Sequence, residues 1–433
     1  MKKGAFLFCI LWASAVMSGQ NPISPPGVYI ADPTARVDAD GKMYIYGSLD
    51  TVPESYCSER YHVLSSSDLL HWQLHPNTFA SMGENDAVPY SDRMLYAPDM
   101  MCRNGVYYLY YCMSDGSEGV AISKSPAGPF VGGEKIAGID GIDPTVFTDD
   151  DGQAYYYWGQ FSAKGARLNP DMKTIDLASV KDGLVTEKEH YFHEGGFMFK
   201  RAGVYYFVYT HIGRQDRATC IGYSTSDSPL GPFKYGGVII DNAGCDPASW
   251  NNHGSVVEFK GQWYVLYHRS THGSQAMRKA CIEPITFLPD GSIPEAPMTS
   301  QGAGKPLDAR RQIDAAWACL LWGNVRIVQD EKQPDNEILS GICRKDRAAW
   351  RYVDYGAGVQ RFKVRVRSKA GGKISLVGDK PWHGEFGSLT VPAHSDWTEL
   401  SCDVRPQTGV ATLWITFDGN EGELFDIDRF VFE

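Results

Sequence analysis

The chain has no Cys-x-x-Cys pair, no concentrated basic stripe and, past its first residues, no apolar run long enough to cross a bilayer. Ten cysteines are present; Cys9 falls in the N-terminal segment and the other nine are scattered, so neither a zinc knuckle nor a disulfide framework is indicated. An odd number leaves at least one free thiol, and most are expected as small buried hydrophobes. The formal charge of −11, or −13 without Lys2 and Lys3, argues against nucleic acid or an anionic membrane surface as partner. A neutral ligand fits better. Long apolar stripes at the helical period are also missing, which excludes a helical bundle or a doubly wound sheet.

At the N-terminus, Lys2 and Lys3 precede an apolar run from Ala5 to Val16 and small residues near Ser18 and Gly19. Residues 1–18 therefore read as a secretory signal peptide, and an exported protein, periplasmic, surface-bound or secreted, without membrane insertion, is expected. The remainder is aromatic-rich, with 24 Tyr, 19 Phe and 11 Trp. Its strand-like runs make it all-β.

One unit recurs five times: a turn glycine followed at once by an aromatic or β-branched strand, as in Gly203-Val-Tyr-Tyr-Phe-Val-Tyr209. The glycines are 41, 105, 152, 203 and 261, spaced 47 to 64 residues apart. Each is expected to supply the positive φ of a hairpin turn. Repetition at this period in an all-β chain indicates a five-bladed β-propeller over residues 22–300, because each blade buries its faces only against its neighbours. Residues 301–311 are Gly/Pro-rich and read as a linker. From 312 to 433, alternating strands such as Gln360–Arg367 and Ala411–Phe417 indicate a β-sandwich of jelly-roll type.

Three acids share one place in the repeat. Asp32 and Asp143, each followed by Pro, and Glu194, between His193 and Gly195, all lie nine residues before their turn glycines. That offset puts three carboxylates at equivalent places on blades one, three and four, where inner strands can converge. Paired carboxyls on two sides of a bond are what glycoside hydrolysis requires, and a third acid can raise the proton donor's pKa. The alternative reading of each acid alone is a turn cap or a solvated loop residue.

The motifs Ala31-Asp32-Pro33, Tyr96-Ala-Pro-Asp99, Ile142-Asp143-Pro144, Tyr157-Trp158-Gly159, His193-Glu194-Gly195 and Asn252-His253-Gly254 occur in the order found in glycoside hydrolase family 43, which the propeller resembles. The resemblance implies an inverting enzyme with Asp32 as general base, Glu194 as general acid and Asp143 tuning the acid. It also implies Tyr96, Trp158, His253 and Arg278 as substrate-binding residues, and His253 as a ligand of a calcium or other ion in the channel, with a metal-free hydrogen-bonded histidine as the alternative. Retaining propeller relatives would carry Arg-Asp-Pro and Glu-Cys, whereas Ile142 and Gly195 stand here. The C-terminal part resembles a family 6 carbohydrate-binding module, in Phe362–Ile374, Asp396-Trp397 and Leu424–Phe432. That resemblance implies sugar stacking, with Trp350, Tyr352, Tyr355 and Trp382 as candidates, and a structural calcium; a purely supporting sandwich is the alternative. Together these imply a monomeric hydrolase acting on plant cell-wall polysaccharide, with terminal α-L-arabinofuranose as the expected leaving sugar. A β-D-xylosidase, a galactofuranosidase or galactosidase, and a propeller that binds carbohydrate without catalysis are the alternatives.

Overall fold

The computed structural model describes residues 20–433. The expected signal peptide, 1–18, lies outside the described residues. Eighteen strands make up the propeller. Blade one contains β1 (Tyr29–Val37), β2 (Met43–Asp50), β3 (Arg60–Ser66) and β4 (Gln73–Ala80); blade two contains β5 (Asp99–Arg103), β6 (Val106–Cys112), β7 (Ser117–Ser123) and β8 (Val131–Asp140). Blade three contains β9 (Thr145–Thr148), β10 (Ala154–Trp158) and β11 (Lys164–Leu168); blade four contains β12 (Phe192–Arg201), β13 (Val204–His211), β14 (Cys220–Ser226) and β15 (Lys234–Asp241). Blade five contains β16 (Ser255–Phe259), β17 (Gln262–Arg269) and β18 (Lys279–Ile285).

The turn glycines stand between the first and second strands of their blades with φ from 74° to 85°, and a Cβ at any of them would meet nothing within 4 Å. Positive φ, not crowding, selects glycine there. The first strands β1, β5, β9, β12 and β16 each touch the next, and β16 returns to β1, which closes a ring of five. Apolar side chains fill the spaces between blades, so each buried cluster draws on two consecutive sheets. Tyr110 and Val120 of blade two pack with Tyr156 and Trp158 of blade three, and Phe259 and Leu266 of blade five pack with Ile30 and Ile45 of blade one. No blade has a core of its own, which ties the stability of each to its neighbours. The N-terminal segment seals the ring: the Ile23 amide donates to the Ala280 carbonyl at 2.8 Å, and the Asn21 side chain both donates to and accepts from the Ile282 backbone at 2.9 Å.

The C-terminal domain is a sandwich of two sheets. One follows the order Leu307–Asp308, Arg347–Asp354, Val410–Asp418, Gly372–Lys380, His383–Val391; the other follows Arg326–Asp330, Gln333–Ser340, Phe425–Phe432, Val359–Ser368, His394–Gln407. Trp350, Phe362, Phe430, Phe432 and Tyr355 fill the space between them. Two of the four proposed stacking aromatics are thereby corrected: Trp350 and Tyr355 are core residues with no face to offer a sugar. Tyr352 is half-buried, and Trp382 stands in solvent at 74% exposure. The 301–311 segment also differs from a free tether. Leu307–Asp308 pairs in parallel with Arg347–Asp354, and Ala309 is fully buried.

Candidate active site

Two β-bulges and one turn aim the three acids inward. In β1 the register with β2 slips between Ala31 and Thr34, and Asp32 sits there at φ 52°. Gly47 makes room for the slip, since a Cβ there would lie 2.2 Å from the Ala31 carbonyl oxygen. Asp143 takes the same left-handed conformation, φ 57°, just ahead of β9. In β12 the register with β13 shifts on both sides of Glu194, and Gly195 carries the positive φ of 66°. Non-glycine residues rarely hold such φ values unless the surroundings enforce them, and here an equivalent bend recurs on three blades.

All three acids line one cavity of about 290 Å³ with Tyr56, Tyr96, Gln160, Trp250, His253 and Arg278. Asp32 is buried. Its Oδ1 accepts from Arg278 Nη1 at 2.8 Å and its Oδ2 from Ser48 at 2.7 Å, while its amide donates to His268 Nδ1 at 3.2 Å. Burial alone would raise its pKa, but the Arg278 guanidinium and the imidazoles of His268 and His253 hold it well below the ordinary carboxylate range. Asp32 is therefore ionised at neutral pH. Arg278 is itself clamped by Asp50, through three hydrogen bonds of 2.9 Å, and lies over the Tyr56 ring.

Asp143 is the opposite case. Burial first, then the charges of Glu194 and Asp32, raise its pKa well above the ordinary carboxylate range. Glu194 is only half-buried; it accepts from Gln160 at 2.8 Å and from Asn251 at 3.4 Å. One anionic carboxylate, one buried acid with a raised pKa and one carboxyl reached from the cavity thus share a wall. His253 Nδ1 lies 3.6 Å from Asp32 and 3.9 Å from Asp143, and burial lowers its pKa against the pull of Asp32 and Glu194.

Beside His253, the Arg278 guanidinium takes the cationic place next to Asp32. Among the described residues no cluster of three or more His, Cys, Asp or Glu is arranged to hold a metal ion, in the channel or in the sandwich.

Tyr96, His253 and Arg278 reach the cavity as expected. Trp158 does not: it is buried between blades two and three, against Tyr156. The chain leaves β10 at Gly159, φ 121°, and the next residue, Gln160, is the one that reaches Glu194. The Tyr157-Trp-Gly159 motif marked the right place on the chain and the wrong side chain. Trp250 and Asn251 were also missed, although they directly precede the Asn252-His253 motif. Tyr56 and Gln275 carry no motif at all. They come from loops on blades one and five and meet through a 3.1 Å hydrogen bond.

The family model for glycosyl hydrolases family 43 matches residues 20–293, and that for carbohydrate binding module family 6 matches residues 322–433. The chain belongs to glycoside hydrolase family 43. It is 31% identical, over 92% of its own length and 96% of the relative's, to a xylosidase/arabinosidase of Thermoclostridium stercorarium. It is 30% identical, over 93% and 90%, to an arabinoxylan arabinofuranohydrolase of Bacillus subtilis. A crystal structure of a family 43 arabinoxylan arabinofuranohydrolase from Bacillus subtilis, in complex with cellotetraose, superposes at TM-score 0.56 with 27% identity over 96% of this chain and 99% of that one. The similarity of this family 43 chain to these relatives runs across more than nine-tenths of its length, beyond the propeller alone.

Proposed function

We propose that this glycoside hydrolase is an exported, inverting, exo-acting enzyme that removes terminal α-L-arabinofuranose from plant polysaccharide side chains. The observation that carries the reading is the contrast between two carboxyls on one cavity: Asp32, fixed and ionised by Arg278, and Glu194, open to the cavity beside buried Asp143, whose pKa is raised. Asp32 accepts a proton from water as the water oxygen attacks the anomeric carbon. The glycosidic C–O bond breaks on the opposite face, and Glu194, the carboxyl open to the cavity, passes to the departing oxygen the one proton that it and Asp143 hold between them. Glu194 is left as a carboxylate, to be reprotonated before the next turnover. Trp250 supplies an apolar face for the sugar ring. A cavity at the small end of ligand pockets suits one terminal sugar better than a threaded polymer.

Arabinofuranose is favoured because the relatives of nearly full length carry arabinosidase or arabinofuranohydrolase names. The same names keep β-xylosidase as the second reading. Glu194→Gln and Asp32→Asn are each expected to lower kcat by about 10²–10⁴-fold, with the melting temperature nearly retained. Proton NMR of the first-formed sugar should show inverted anomeric configuration. Near-wild-type turnover in either variant would overturn the assignment. Nitrophenyl glycosides of arabinofuranose, xylose and galactofuranose, assayed side by side, choose among the sugars.

A further inference from the structure

Behind the cavity wall formed by Asp143 lies a carboxyl that the mechanism above does not use. Glu118 sits on β7, fully buried, in a strand whose other inward residues are apolar or small. Its Oε2 accepts from the Tyr156 hydroxyl at 2.5 Å, while its Oε1 has no hydrogen-bond partner. The backbone leading to Asp143 packs directly on it: a Cβ on Gly141 would lie 2.8 Å from Glu118 Oε1 and 2.6 Å from Trp158 Cδ1. Trp158, absent from the cavity, is thus part of the apolar lid that keeps water from this acid. An isolated carboxylate in such a place is costly, and the neutral acid is the form the site favours.

We propose that Glu118 is a positioning residue for the carboxyl cluster: it carries a proton through the neutral range and, on releasing it in alkali, places a negative charge behind Asp143 that holds the catalytic proton in the site. The inference rests on the acid and base roles proposed above. Burial pushes the Glu118 pKa up to about 8, with the Tyr156 hydrogen bond opposing. The groups facing it are Tyr156, Tyr90, Cys112, Asp140, Asp143 and Lys164; Lys164 favours its ionised form and Asp140 disfavours it. Because the influence on Asp143 is electrostatic, a neutral isostere removes it without emptying the space.

Glu118→Gln is the test, with two readouts. The first is the alkaline limb of kcat/KM on an arabinose-substituted xylo-oligosaccharide, whose leaving group needs a proton. It should move to lower pH by about half a unit or more, because the charge that retains the catalytic proton never forms. The second is melting temperature, which does not involve activity. A buried acid with a raised folded-state pKa contributes stability below its unfolded pKa near 4.5 that is lost as pH rises toward 8. The melting temperature of Glu118→Gln relative to wild type should therefore rise steadily from pH 5 to pH 8. A pH-independent difference means Glu118 is not the proton carrier, and an unmoved limb means it does not act on the catalytic cluster; either overturns the proposal. Tyr156→Phe, which removes the bond favouring ionised Glu118, should shift the limb in the same direction, and a shift the other way counts against the proposal. Activity surviving in Asp32→Asn and Glu194→Gln would instead sink the catalytic reading itself, so the two failures are distinguishable.

Discussion

Arg278 carries more of the site's electrostatics than any of the acids it serves. Its guanidinium joins Asp32 and Asp50, both buried, so one cation compensates two carboxylates. A planar fork can do this and an ammonium cannot. Arg278→Lys should therefore leave Asp32 the less stabilised of the two. Asp32 has a lowered folded-state pKa, so the stability it contributes is present above its unfolded pKa and lost as pH falls through the folded one. With lysine in place, that loss begins at higher pH. The acid limb of kcat/KM should move upward, and kcat/KM at neutral pH should fall on the order of 10²-fold. A pH–rate profile with an unmoved acid limb would show that Arg278 does not set the ionisation of Asp32.

At the scale of single elements, the bulge in β12 is as important as the acid it presents. Gly195 stands at φ 66°, and a Cβ there would come 2.8 Å from both His253 Cδ2 and Thr210 Oγ1. His253 cannot retreat easily, since its ring lies between two carboxyls. Gly203, in the turn just before β13, has a similar φ of 83° and open space around it. The two glycines separate backbone strain from crowding. Alanine at either should cost about 1 kcal/mol for the left-handed conformation. Gly195→Ala should in addition reduce kcat/KM on the order of 10²-fold, while Gly203→Ala keeps its activity; paired assays and thermal melts decide. This difference also explains what could be read in advance. The turn glycines and the equal offset of the three acids repeat along the chain, because every blade meets the same geometric demand, and so both were legible. Trp158, Trp350 and Tyr355 were not, because an aromatic in a strand has one of two faces to choose from, and only the neighbouring sheet decides which is core. Tyr56 and Gln275 were invisible for another reason: they belong to the site only through closure of blade five on blade one.

For the whole molecule, the seam between propeller and sandwich is built around a buried ion pair. Lys279 on β18 places Nζ 2.6 Å from both carboxylate oxygens of Glu337, in the strand Gln333–Ser340, and also donates to the Pro25 carbonyl at 3.0 Å. Glu337 in turn accepts from the Gly27 amide at 3.2 Å, and the Tyr29 ring lies 5.3 Å from the ammonium. Three parts of the chain meet there: the segment that seals the ring, the last blade and the sandwich. Backbone bonds from Ser300 to Arg351 and from His272 to Ile327 extend the same seam. A buried pair adds little net stability over an apolar replacement, but losing one partner strands a charge and costs about 3–5 kcal/mol. Glu337→Ala should therefore lower the melting temperature well below that of wild type and separate sandwich from propeller unfolding in calorimetry. Lys279→Met combined with Glu337→Leu should recover most of the loss, because no charge remains to be desolvated. If the single and double variants melt alike, the pair does not couple the two domains, and the seam holds by its apolar and backbone contacts.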